Sequence, residues 1–253
     1  MPAAPTIWTD ARVAGTRFGP VRWYDVIDST NRLLIDEATR GAAEGLVAVA
    51  DSQTAGRGRL GRSWVAPPGA SLLVSVLLRP HMRRERWHLA TLAAGLAAVA
   101  AVAETGGIDA GLKWPNDVVV EDRKLAGLLA EATGDALVVG MGLNVQWNDF
   151  PPDIALTATA CNLCSDRAIA RGDRLAIWLR ELDARLDAPD RVLAEATDRS
   201  ATLGRRVRVE LADGTFEGDA QALTAAGHLV VRRVDGRDQT VSAGDVVHLR
   251  RRD

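Results

Sequence analysis

Gly45-Leu-Val-Ala-Val-Ala50, then Gln53-Thr-Ala-Gly-Arg-Gly-Arg-Leu-Gly-Arg-Ser-Trp64, then Ser71-Leu-Leu-Val-Ser-Val-Leu-Leu78 follow one another along the chain. The outer two are apolar runs of strand length, the pattern of strands buried on both faces. The middle stretch carries Arg57, Arg59 and Arg62, and no acidic residue stands between Ser52 and Ala66. Glycines let a backbone turn its N–H groups toward an anion, and arginines supply permanent forked charge. On turn composition alone such a loop is ordinary surface. Held between two buried strands, it is placed to bind something negative. Gly56 to Gly61 also satisfies G-x-G-x-x-G. That fingerprint needs a helix opening at the glycines and an acid about 20 residues on. Pro67-Pro68-Gly69 blocks the helix and the stretch from Ser75 to Arg84 holds no acid, so a dinucleotide site is excluded.

Outward from this loop, residues 1–20 read as an irregular arm and Val21 to Ile27 as a strand. Asp28-Ser29-Thr30-Asn31 offers N-cap residues for a helix over Arg32 to Arg40. Downstream, Glu85 to Glu104 reads as a long helix and Gly111 to Trp114 as a short strand. Pro115-Asn116-Asp117 reads as a turn. Val118 to Glu121 pairs back onto Lys124 to Glu131, and Leu137 to Val145 is a further buried strand. Gln146 to Ser165 is loop, and helices cover Arg167 to Leu186 (with Ile169 among its apolar positions) and Val192 to Arg199. Hairpin-linked strands beside separated helices predict an α+β fold with a mixed, largely antiparallel sheet. Past a boundary near Ala201 the texture changes to short strands over Arg206–Leu211, Thr215–Ala222, His228–Val234 and Gln239–Leu249. Asp213-Gly214 and Asp235-Gly236 mark tight turns, and the whole reads as a small β-barrel. The expected divisions are an arm over 1–20, a main domain over 21–201 and a C-terminal module over 202–253.

At 253 residues, 47% hydrophobic and 25% charged, with a formal net charge of −2, the chain is an ordinary globular protein. It is no general nucleic-acid binder, although Arg250-Arg251-Arg252 forms a small basic tail. No secretory h-region precedes Pro20. The apolar run from Leu89 to Ala103 is too short for a membrane span and reads as a buried helix. Cys161 and Cys164 form a lone C-x-x-C, and His81, His88, His228 and His248 are scattered, so two reduced structural thiols in the cytoplasm are expected rather than a zinc site. Of 31 basic residues only Lys113 and Lys124 are lysine, and both fall in one short stretch. A compact ammonium fits where a planar guanidinium does not.

Five motifs occur in order: Asp28-Ser-Thr-Asn31, the basic loop from Gln53 to Arg62, Lys113-Trp-Pro-Asn-Asp117, Arg123-Lys-Leu-Ala-Gly127 and Gly140-Met-Gly-Leu-Asn-Val145. Together they resemble the catalytic domain of bacterial biotin protein ligases, and the last 50 residues resemble that family's SH3-like C-terminal domain. The resemblance implies a fold related to class II aminoacyl-tRNA synthetases. It also implies a reaction in two steps. Biotin and ATP give biotinoyl-5′-AMP, and a lysine of a biotin carboxyl carrier domain of a biotin-dependent carboxylase then takes the biotinoyl group.

By similarity, Ser29, Thr30, Asn31, Gln53, Arg57, Gly58, Arg59, Lys124 and Gly127 hold biotin, with Ala126 and Gly127 leaving room for its bicyclic ring. Gly56, Arg62, Lys113, Asn116 and Asn144 fall on the ATP side. Lys124, Arg59 and Asp117 are the candidates for catalysis. Two anions must be brought together, and fixed cations offset their repulsion. Asp117 is a possible Mg2+ ligand and equally suits a plain turn residue; no other metal ligand is indicated. Asp117, Lys113 or water is left to take the proton of the acceptor amine. The basic loop, with its repelling arginines, is expected to be mobile until ligand binds. Larger members of the family carry an N-terminal winged helix. About 20 residues before the first strand are too few for one, so no repressor role, no DNA partner and no membrane are expected, in a monomer or homodimer. Rival readings are a lipoate or octanoyl ligase on the same fold and a non-catalytic biotin-binding regulator. The loop lacks the Arg-Arg…Gly-Gly-Gly pattern of the former, and the two lysines argue against the latter.

Overall fold

Alternating and continuous apolar runs form two sheets. The computed structural model describes residues 4–249 except 169, 212 and 243. The Arg250-Arg251-Arg252 tail and Ile169 lie outside the described residues. The first sheet has eight strands: β1 (Thr6–Trp8), β2 (Val21–Ile27), β3 (Val47–Gln53), β4 (Ser71–Leu78), β5 (Gly111–Lys113), β6 (Asp117–Val120), β7 (Arg123–Thr133) and β8 (Ala136–Asn144), in the order β1-β2-β3-β4-β8-β7-β6-β5. Every pairing is antiparallel except β2 with β3. Helix α1 (Thr30–Thr39) joins those two strands, as a parallel pair requires a crossover.

Period-2 alternation sorts the strands into two faces. Leu72, Val74 and Val76 of β4 with Val139, Met141 and Leu143 of β8 face a helical layer of α2 (His88–Gly106), α4 (Arg171–Leu186) and α5 (Pro189–Asp198). On the other face α1 sets Leu34 and Ala38 against Ala48, Ala50, Leu77 and Val138. Ser71, Leu73 and Ser75 of β4 share that face with Gly140, Gly142 and Asn144 of β8. The segment from Arg84 to Gly106 is long and apolar enough to cross a membrane, but 78% of its apolar window is buried inside the fold. It is the core helix that its alanine-rich run predicts.

The second sheet is β9 (Arg206–Leu211), β10 (Gly214–Leu223), β11 (Leu229–Arg233), β12 (Asp238–Val241) and β13 (Asp245–His248), antiparallel in the order β12-β11-β10-β9-β13. Its inner face buries Val207, Val209, Ala220, Leu229, Val231, Val241 and Val246. Among the described residues the end strands β12 and β13 do not pair, so the expected barrel is an open curled sheet.

Other boundaries differ from the sequence reading for local reasons. The arm over 1–20 is not wholly irregular, because Thr6–Trp8 adds an edge strand to β2. Helix α1 begins two residues early, since Ser29 is the cap and accepts from the Arg32 amide. The fourth helix begins at Arg171, after an extended Ala170, rather than at Arg167. Pro189 opens α5, where its missing N–H costs nothing. The last strand is broken between Val241 and Asp245. Within the expected loop of Gln146 to Ser165, Cys161–Cys164 forms one helical turn, α3. Both thiols are free, and burial pushes the Cys161 pKa up to about 11, an unreactive, structural sulfur.

His88 opens α2 beneath the C-terminal sheet, with the rings of Trp114 and His228 each 6.2 Å away. Burial, reinforced by the nearby charge of His228 and Arg59, pushes its pKa down to about 4 from 6.5. The folded state therefore binds this proton less readily than the unfolded chain. Its contribution to stability is complete above pH 6.5 and is lost as pH falls toward 4, up to roughly 3 kcal/mol. Thermal melts from pH 7 to 4.5 should show a steeper loss in the native protein than in His88→Gln. Parallel curves would exclude His88 as the sensor.

Candidate active site

A cavity of about 410 Å³ opens on the α1 side of the first sheet, where the basic loop and the β5–β6 turn face each other and β13 closes one flank. One end is a neutral hydrogen-bonding cradle at the start of α1. Gln53 Oε1 accepts from the Thr30 amide (2.7 Å) and the Thr30 hydroxyl (3.0 Å), leaving the Gln53 amide N–H groups for a ligand. Ser75 Oγ stands 2.7 Å from Thr30 Oγ1 and donates to Asn31 Oδ1 at 2.6 Å. Asn31 Nδ2 donates to Leu129 O (3.2 Å) and to Glu131 (2.8 Å). Ser29, Thr30 and Asn31 are each no more than 4% exposed. A buried network satisfied in this way is rigid, and its Ser29, Thr30, Asn31 and Gln53 side chains carry no formal charge.

The other end is cationic. Arg57, Arg59, Arg62, Lys113 and Lys124 all line the cavity. Most are held by protein acceptors. Arg57 donates to Glu131 at 2.9 Å. Arg59 donates to Asn116 Oδ1 and to Gly244 O, both at 3.0 Å, and lies 3.7 Å from Asp245. Arg62 forms a close ion pair with Asp245, and Lys124 Nζ is 2.7 Å from Asp117 Oδ1. Lys113 has no carboxylate partner among the described residues. Burial, opposed by Asp117 and aided by Arg62, lowers the Arg59 pKa, and a guanidinium stays charged regardless.

Between the two ends lies the Trp64 indole. A Cβ placed on Gly127 would stand 2.9 Å from this ring and 3.0 Å from Lys124 Nζ, and one on Gly142 would stand 2.5 Å from the ring. Lys124 Nζ sits 5.5 Å from the ring centroid, within cation–π range. The indole N–H is buried without a hydrogen-bond partner among the described residues.

Thirteen of the expected site residues converge here: Ser29, Thr30, Asn31, Gln53, Arg57, Gly58, Arg59, Arg62, Lys113, Asn116, Asp117, Lys124 and Gly127. Three expected residues do not. Gly56 lies behind the wall, where a Cβ would overlap the Trp64 carbonyl; it lets the two arms of the loop approach and bond through Trp64 N–H and Gly56 O at 3.0 Å. Ala126 is fully buried toward the helical layer and gives a ligand no room. Asn144 shares the cavity face of β8, but its side chain donates to Thr159 O (3.0 Å) and meets Ser71 (3.2 Å). The segment it supports covers it, and that segment pairs with Lys124 through Lys124 N–H to Thr157 O and Thr159 N–H to Lys124 O. Asn144 thus acts one step away, on the backbone that carries Lys124.

Sequence reasoning quoted Trp64, Gly140 and Gly142 within its motifs without giving them a site role, and did not single out Ser75, Glu131, Glu210 or Asp245. Glycines alternating in an otherwise apolar strand mark close approach and were a usable signal for Gly140 and Gly142. Glu131 and Asp245 gave none, since each is joined to the loop only by the fold, and Glu210 pairs with Arg208.

The arginines therefore do not simply repel one another, as expected of an unliganded loop; carboxylates of β7 and β13 offset them. Within the loop the amides of Thr54, Ala55, Gly58, Arg62 and Trp64 have backbone partners. Hydrogen exchange across Gln53 to Trp64 should slow when biotin and ATP are added together. Equal protection with and without them would show that the protein carboxylates alone order the loop.

Among the described residues no three His, Cys, Asp or Glu side chains converge as a metal cluster. Asp117 and the Asn116 amide are the oxygen donors at the β5–β6 turn. That set suits a Mg2+ ion bound mainly through phosphate oxygens rather than an all-protein cage.

An α+β fold with a neutral cradle and a cationic wall in one cavity defines an enzyme that joins anionic substrates. Residues 23–148 match the biotin/lipoate A/B protein ligase family, and residues 202–249 match the biotin protein ligase C terminal domain. The chain is 42% identical over 245 residues to the biotin–[acetyl-CoA-carboxylase] ligase of Mycobacterium tuberculosis, with 90% of each covered. It is 31% identical over 235 residues to the bifunctional ligase/repressor of Bacillus subtilis, with 87% of this chain and 72% of that one covered. Biotin protein ligase from Aquifex aeolicus in complex with biotin and ATP superposes with a TM-score of 0.81 at 28% identity, over 91% of this chain and 99% of that one. The chain belongs to the biotin protein ligase family.

Proposed function

We propose that this protein is an ATP-dependent ligase that activates biotin as biotinoyl-5′-AMP and transfers the biotinoyl group to a lysine of a biotin carboxyl carrier domain in the cytoplasm. The observation that carries it is the polarity of the cavity. A neutral buried cradle made by Ser29, Thr30, Asn31 and Gln53 suits the uncharged ureido head of biotin. Five cations at the far end suit a carboxylate and a triphosphate.

In the first step a biotin carboxylate oxygen attacks the α-phosphorus of ATP and pyrophosphate leaves. Lys124 and Arg59 hold the two anions against their repulsion, while Arg62, Lys113 and Asn116 orient the phosphates. Asp117 and the Asn116 amide would hold a Mg2+ ion, which would supply positive charge to offset that of the phosphates. In the second step the neutral carrier amine attacks the acyl carbon, the acyl–phosphate bond breaks and AMP leaves. An ammonium cannot accept a proton, which leaves Asp117 or water, of the three expected groups, to take the amine's. The decisive experiment mixes protein, ATP and Mg2+ with biotin or with lipoate and measures pyrophosphate. Biotin-dependent release is expected; release with lipoate alone would make this a lipoate ligase, and none with either would leave a binding protein.

A further inference from the structure

The Lys113-Trp-Pro-Asn-Asp117 motif lines the cavity, and the indole at its second position is anchored in the core of the C-terminal sheet. Trp114 is 3% exposed and is packed into the core of the C-terminal sheet with Val207, Val209, Leu229 and Val231. Its indole N–H donates to Gly227 O at 3.0 Å, and its backbone N–H donates to Thr202 Oγ1 at 3.0 Å. The strand that carries it needs such support. β5 is three residues long, lies at the sheet edge and pairs with β6 on one side only. On its other side Leu112 bonds to Arg199 O and Ala201 N–H in the connection leading to the second sheet. Short edge strands are weak on their own. Asn116 is pinned separately, by bonds with the Leu128 backbone at 2.6 and 2.8 Å. Lys113 pairs with Asp117 in the β5–β6 ladder, but its side chain has no hydrogen-bond or ion-pair partner among the described residues, and the anchor next to it in the chain is Trp114.

We propose that Trp114 is a positioning residue for the nucleotide: the C-terminal domain grips its indole and so sets Lys113 in the cavity. This rests on the reading of Lys113 as a phosphate contact. The cradle residues Ser29, Thr30, Asn31 and Gln53 are held by β3, β4 and β7 and do not share this tie. The effect of loosening Trp114 is therefore one-sided.

Trp114→Phe keeps a ring in the core and loses the bond to Gly227 O. The variant should raise the KM for ATP about fivefold or more in the pyrophosphate assay, with biotin Kd by calorimetry within twofold. Thr202→Val, which removes the other acceptor, should shift ATP KM in the same direction by less, and serves if Trp114→Phe does not fold. Val241→Ala, a cavity in the same domain core that removes no hydrogen bond to the motif, should lower Tm and leave ATP KM unchanged. Equal changes in ATP KM and biotin Kd, an unchanged ATP KM in both motif variants, or an equal rise in Val241→Ala would each overturn the proposal. Failure of the native protein to release pyrophosphate with biotin would instead overturn the underlying function.

Discussion

Replacing Lys124 with arginine is expected to cut biotin-dependent pyrophosphate release at least about tenfold, roughly 1.4 kcal/mol of transition-state stabilisation. The substitution keeps the charge, and arginine fills nearly every other basic position in the chain. On an open surface it would be silent, within about ±0.5 kcal/mol. Lys124 is not on an open surface. Its ammonium is packed against Asp117 at 2.7 Å and over the Trp64 ring, and the bare Cα of Gly127 gives it passage. A planar fork at that point must displace the indole or break the Asp117 pair. Displacing a reacting group by about 1 Å can cost on the order of 100-fold. Circular dichroism should be unchanged. A native rate in the arginine variant would remove Lys124 from the machinery.

Gly140→Ala is expected to weaken biotin binding by more than about tenfold and to lower Tm by several degrees. One methyl there overlaps Asn31 Oδ1 and sits 3.1 Å from Ser75 Oγ. Neither can move away cheaply, because Asn31 is tied to Leu129 and Glu131 while Ser75 is tied to Asn31. Overpacking a rigid site costs about 1–3 kcal/mol, and here the strain falls on the cradle itself. Calorimetric titration with biotin is the measurement; an affinity within twofold of native would show that the network gives way without loss.

The features legible in the sequence are those encoded within a few residues. The Arg57–Arg62 loop stands out because charge and glycine concentrate there, Ser29 because cap residues precede an amphipathic run, and Lys124 because lysine otherwise occurs only at Lys113. What stayed hidden depends on distant pairing. Asp245 reaches Arg62 only because β13 of the second sheet folds back beside the loop, and Glu131 reaches Asn31 and Arg57 only because β7 is long enough to pass under both. Asn144 misled for a related reason. Alternation correctly places it on the face of Gly140 and Gly142, but the Thr157–Thr159 segment, read as loop, lies over it. The helix boundary at Arg167 was misjudged because apolar spacing continues upstream of Arg171 without a capping side chain to mark the true start.

Both lysines of the chain line the same cavity, and the basic groups of its outer surface are guanidinium. Primary amines are the nucleophiles that acyl phosphates modify, whereas guanidinium is protonated and inert toward them. A mixed anhydride released from the cavity would thus meet no lysine on the exterior of the protein that made it. The same scarcity makes amine acylation a selective chemical reporter: apart from the amino terminus, any label the chain accepts on nitrogen marks Lys113 or Lys124, and its rate reads how open the cavity is.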